Sequence, residues 1–126
     1  MVHHDIAPAA PSRSAVLTKT VFRAADRLGL SGRQVAAIVG VSEATISRLR
    51  RGDALLEEGT KPFELSALLV RAFRSLDAIT GGDEAVARAW MTAPNSAIGA
   101  VPAAHIATVQ GLVDVVTYLD ARRAPV

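Results

Sequence analysis

The 126-residue chain has no cysteine, only three His, three Phe, one Tyr and one Trp, and no long apolar run. Without cysteine there is no disulfide framework, no thiolate zinc site and no cysteine nucleophile. Its apolar runs, such as Leu68-Leu69-Val70, fall far short of the roughly 20 residues a membrane span needs. The N-terminus Met1-Val2-His3-His4-Asp5 has neither the basic start nor the apolar stretch of a signal peptide, so the chain reads as a cytosolic, soluble protein. Glycine-rich phosphate loops and Gly-x-Ser-x-Gly elbows are also missing.

The remaining candidates for chemistry are thin. His3-His4-Asp5 are adjacent residues near a terminus and make a poor closed metal site. His105 has no carboxylate close by in sequence and reads as a surface or helix-packing residue, while Glu57-Glu58 looks like a solvated linker pair. These features point to a non-catalytic protein with no cofactor and no metal.

What the chain does have is alanine, 24 residues of it, which makes much of the apolar fraction small and helix-favouring. The length suits one domain, or two small helical modules sharing a core. Positive charge is concentrated early. Arg13, Lys19, Arg23, Arg27, Arg33, Arg48, Arg50 and Arg51 stand against only Asp26 and Glu43 in residues 13–52, a local +6. Residues 64–126 hold five basic and six acidic groups, a local −1. One part is suited to meet polyanions and the other is not.

Periodicity predicts helices throughout and no convincing strand, so the fold class is all-α. Residues 1–12 read as a flexible N-terminal tail, 13–61 as a helix-turn-helix region and 62–126 as a helical C-terminal module. A helix from Ser14 ends at Gly29, a second follows Ser31 and stops at Gly40, and a third runs from Ser42 through Leu49. A turn-rich linker precedes Pro62, where a long amphipathic helix begins and runs to Gly81-Gly82. Asp83-Glu84 open another helix, which reaches Trp90-Met91. The last helical region, Ala103 to Arg122, allows a hinge near Gly111.

Residues 31–52 carry the most specific pattern. Ala36 is small enough for two helices to cross closely, Gly40 suits a tight turn, and Val41 plugs the angle between the helices. Glu43, Thr45, Ser47 and Arg48 then fall at the exposed start of a recognition helix, where side chains reach base edges. Arg48 suits bidentate donation to a guanine, and Thr45 and Ser47 suit base or phosphate. Arg33, Arg50 and Arg51 are phosphate candidates, which set register without reading sequence. The alternative is a helical hairpin in a bundle whose arginines are a solvated face.

In the C-terminal third, Trp90 reads as a core anchor, Pro94-Asn95 as a helix stop and turn, and Gly99 as a backbone necessity. Leu112, Val113, Val115, Val116 and Leu119 make a broad apolar face, wide enough either for an internal core or for a partner or dimer surface.

Residues 31–52 resemble the helix-turn-helix of the Xre/Cro/λ-repressor type. The segment Ala89-Trp-Met-Thr-Ala-Pro94-Asn95-Ser-Ala-Ile98-Gly99-Ala-Val-Pro102, followed by Thr108-x-x-Gly111-x-x-x-Val115-x-x-x-Leu119, is similar to the C-terminal module of the Xre/MbcA/ParS-like antitoxins. Ala100 departs from that pattern at its second turn glycine, and Met91 at its usual Leu. The resemblance implies a type II antitoxin that binds and blocks a RES-domain, NAD-degrading toxin, and that represses its own operon by binding operator DNA, as a homodimer or within a toxin–antitoxin complex. It further implies a toxin-binding role for Trp90, Pro94, Asn95, Tyr118, Leu119, Arg122, Arg123 and Val126, the last helix and tail plugging the toxin's active-site entrance. Arg122 and Arg123 equally suit the C-terminal end of a helix dipole. The competing reading is a stand-alone repressor whose C-terminal half only dimerises.

Overall fold

The computed structural model describes residues 10–123, which form seven helices and no strand. Helix α1 (Arg13–Leu28) starts where the Ser12 hydroxyl accepts the Ala15 N–H at 3.0 Å. It buries Val21, Phe22, Ala24, Ala25 and Leu28 on one face. Helix α2 (Gly32–Val39) begins in a reciprocal capping box: Ser31 Oγ accepts from Gln34 N–H, and Gln34 Oε1 accepts from Ser31 N–H. Gly40 ends it at φ 81°, a left-handed conformation in which the Gly40 and Val41 N–H groups both return to the Ala36 carbonyl. Helix α3 (Glu43–Arg51) is capped by Ser42 and runs two residues past Leu49, to Arg51.

The segment joining α3 to the next helix is pinned at its middle. Leu56 is buried, and its N–H donates to the Thr18 hydroxyl of α1 at 3.0 Å. Helix α4 (Lys61–Ile79) follows with Pro62 in its first turn, then α5 (Glu84–Thr92), the short α6 (Pro102–His105) and α7 (Val109–Arg123). Helix α4 is the axis of the fold, packing along α1 on one side and α7 on the other. Leu28, Leu69, Leu76, Met91, Ile106 and Val115 meet at the centre, so every part of the chain after α3 shares one core with α1.

Two expectations for the last third change. The break in the last helical region falls at residues 106–108, between α6 and α7, and Gly111 lies inside the first turn of α7. Gly111 is needed for space: a Cβ there would overlap the His105 carbonyl oxygen, so only glycine lets the end of α6 rest on α7. Thr108 caps that turn, its Oγ1 accepting from the Gly111 N–H at 3.0 Å. The Thr-x-x-Gly spacing therefore combines a cap with a close approach. The broad apolar face of α7 is mostly spent within the subunit, since Leu112, Val115, Val116 and Leu119 are buried and only Val113 of the five is exposed. Full burial of such side chains stabilises by about 1.5–3 kcal/mol each.

Candidate functional site

Helices α2 and α3 form the expected helix-turn-helix, and the fold leaves one face of α3 open. Glu43, Ala44, Ser47, Arg48 and Arg51 are exposed while Ile46 and Leu49 are buried beneath them. Thr45 is half-buried, and its hydroxyl receives hydrogen bonds from Ser42 Oγ at 3.0 Å and from Arg48 Nη2 at 3.2 Å. Arg48 is thereby held against the helix. Arg33 is exposed in the first turn of α2. Glu43 sits in the first turn of α3, where an acidic group offsets the positive helix end.

Arg50 departs from its expected phosphate role. Its guanidinium donates to both Asp26 carboxylate oxygens at 3.1 and 3.2 Å, and its Cζ lies 4.7 Å from the Phe22 ring centre. It is a fork-on-carboxylate brace between α3 and α1. Arg51 pairs at 3.0 Å with Asp53.

The second candidate surface lies between α4, α5 and α7. Trp90 and Tyr118 stack with ring centres 6.3 Å apart and planes 17° from parallel. Arg122 covers the Tyr118 ring at 5.2 Å and donates from Nε to its hydroxyl at 3.1 Å. With Leu76, Ile79 and Leu119 these residues line a cleft of about 310 Å³, apolar inside with a cation at the rim. Trp90 is only partly buried. All six lining residues fall between positions 75 and 124, as do the Pro94-Asn95 turn and the whole of α7.

Residues 7–74 match the family model of the antitoxin Xre-like helix-turn-helix domain, and residues 75–124 that of the antitoxin Xre/MbcA/ParS C-terminal toxin-binding domain. The chain belongs to the Xre/MbcA/ParS antitoxins. It joins a DNA-binding domain to a toxin-binding domain, the composition of a type II antitoxin. No curated protein matches the chain. Among the described residues, no helix is long and apolar enough to cross a membrane.

Within the toxin-binding domain the antitoxin treats the expected contact residues unequally. Trp90, Tyr118 and Arg122 converge on one cleft. Leu119 is a correction: at 2% exposure it belongs to the core and forms only the floor of that cleft. Pro94 is exposed, whereas Asn95 is engaged in shaping its own turn. The Asn95 Oδ1 accepts from the N–H groups of Ala97 and Ile98, and its backbone bridges to Ala100. Arg123 reaches back to the Ser75 hydroxyl on α4 at 3.5 Å, beside Asp120, which accepts from Ser75 at 2.8 Å and pairs with Arg71. Val126 and the His3-His4-Asp5 cluster lie outside the described residues.

Two groups that sequence reasoning missed become visible here. His105 does have a carboxylate partner: its Nε2 is 3.1 Å from Asp114 Oδ2, because α6 folds onto the start of α7. Gln110 donates to the other Asp114 oxygen at 2.9 Å. The Gln110 hydrogen bond foremost, then that of His105, holds the Asp114 carboxyl below its ordinary range. The other is Arg88 on α5, which packs on Gly29 and donates to the Asp26 and Arg27 carbonyls at the end of α1.

Proposed function

We propose that this antitoxin binds and blocks a RES-domain toxin that degrades NAD, and that it represses its own operon through α3. The carrying observation is the Trp90–Tyr118–Arg122 cleft, an apolar aromatic surface with a cationic rim inside the domain matched to toxin binding. The last turn of α7 bears Arg122 and Arg123 with their side chains exposed. Cations leading into residues 124–126 suit entry into a pocket that binds a dinucleotide, whose phosphates are anionic. The choice of a RES-type partner rests on the resemblance of the Trp90-to-Leu119 pattern.

On the DNA side, the exposed row of Ser47, Arg48 and Arg51 on a capped recognition helix supports operator reading. One such helix offers few base contacts, so the operator-bound form is a homodimer, or an antitoxin pair gathered on the toxin, reading two half-sites. Co-expression with the product of the adjacent gene tests the inhibitor role. Growth and NAD levels are expected to survive with the wild-type antitoxin and to fall with Tyr118→Ala or with residues 122–126 deleted. Growth arrest that persists beside the wild-type protein sinks the proposal. The same deletion should leave operator affinity unchanged.

A further inference from the structure

Beside the recognition face, a second set of cations lines a cleft that the helix-turn-helix pattern does not predict. Lys19 and Arg23, one turn apart on the exposed side of α1, form one wall of a space of about 460 Å³; Arg50 and Arg51 at the end of α3 form the other. Four cations line it against a single carboxylate, Asp26. That carboxylate is bonded through both oxygens to Arg50, so the two cancel and the excess charge comes from Lys19, Arg23 and Arg51. Among the described residues, neither Lys19 nor Arg23 has an ion pair or a side-chain hydrogen bond.

Arg51 connects this cleft to the face that reads bases. Successive helical residues turn by about 100°, so Ala44, Ser47, Arg48 and Arg51 fall within one arc of about 100°. Arg51 also lines the cleft. Its pairing with Asp53 leaves the two side chains 61% and 62% exposed, an interaction that water screens and a phosphate can displace.

We infer that Lys19 and Arg23, joined to α3 through Arg51, form a second contact for the phosphodiester backbone, adjoining the stretch that α3 reads. The contact rests on the operator-binding reading above. It carries charge but offers no row of paired donors and acceptors for base edges, so it adds affinity without adding sequence preference. Leu55, 52% exposed and lining the same cleft, suits a protein surface instead.

Titrating the full-length protein with the duplex upstream of its own coding region, and with a scrambled duplex, at several salt concentrations tests the assignment. Lys19→Gln with Arg23→Gln should flatten the dependence of log affinity on log salt by about 2 per bound subunit, hence about 4 for a pair on two half-sites, since each phosphate neutralised contributes about 0.9. Affinity for both duplexes should fall together, by roughly tenfold, whereas Arg48→Ala should narrow the gap between them. The exposed positions of Lys19 and Arg23 predict an unchanged melting temperature for the double variant. An unchanged salt slope overturns the inference, including the case where toxin affinity falls instead and the cleft belongs to an acidic protein surface. If the wild-type protein binds neither duplex, operator binding and this contact fail together. Failure of the contact alone has a different signature, binding by both proteins with the same slope.

Discussion

Arg88 Nη2 donates to the Asp26 carbonyl at 2.6 Å, while the carboxylate of the same Asp26 accepts two hydrogen bonds from Arg50. One residue at the end of α1 thus holds the recognition helix by its side chain and the toxin-binding domain by its backbone. Arg27 adds a parallel link, bonding the Gly82 carbonyl at 3.3 Å and pairing with Asp77 at 3.6 Å.

Arg88→Ala should cost about 1 kcal/mol, the contribution of a charged hydrogen bond reduced by the half-exposure of the side chain. That is a fall of a few degrees in melting temperature for a domain of this size. Glu84→Gln removes the surface pair with Arg88 and a favourable first-turn charge of α5, each a small contribution, and should move stability less. Equal losses in the two variants would mean that Arg88 acts through Glu84 and not through the end of α1.

Thr18→Val keeps the shape of a side chain that is 4% exposed but removes the acceptor for the Leu56 N–H. A buried donor left without a partner costs about 1–3 kcal/mol. Urea denaturation should show that loss, and amide exchange at Leu56 should accelerate more than at its neighbours. Undiminished protection at Leu56 would show that the segment between α3 and α4 is held in place by burial alone.

Gly111→Ala opposes two effects. Alanine in a helix is favoured over glycine by about 1 kcal/mol. The new Cβ would meet a backbone carbonyl that cannot swing aside, and overpacking of that kind typically costs about 1–3 kcal/mol. The clash should prevail, lowering the melting temperature and loosening α6 from α7. A neutral or stabilised variant would show that the α6–α7 corner yields easily.

Asp114 should titrate below an ordinary aspartate when followed by carboxyl NMR shifts, and Gln110→Ala and His105→Ala should each raise its midpoint. Because the folded-state pKa is depressed, the contribution to stability is present above the unfolded-state value. It is lost as pH falls through the lower, folded one. A midpoint insensitive to Gln110 would refute the assigned cause.

Local chemistry made much of this structure readable in advance. Ser31, Ser42 and Gly40 act within three or four residues of themselves, so the caps and the turn of the helix-turn-helix follow from spacing alone. Pro94-Asn95 is likewise a self-contained turn. What failed to show were contacts set by the tertiary path. Arg50 looks equivalent to Arg51 in the sequence, yet its helical angle turns it towards α1 and Asp26, 24 residues away. A glycine inside a helical pattern reads as a hinge, whereas Gly111 answers to His105 on the preceding helix. Leu119 fits a contact surface by pattern, and only the packing of α7 on α4 shows that it is interior. In the sequence Lys19 and Arg23 are only part of a charge total, because nothing in their spacing indicates which helix lies opposite.

The two family matches meet between Arg74 and Ser75, inside α4, with no linker between them. A cut at that junction would leave Leu69 and Leu76, neighbours in one core, on separate fragments, each missing half of its packing. The two matched regions share one core and should therefore unfold as a unit. Whatever lifts α7 away from α4 also strips support from α1, so damage to the toxin-binding region should loosen the helix-turn-helix region in the same event.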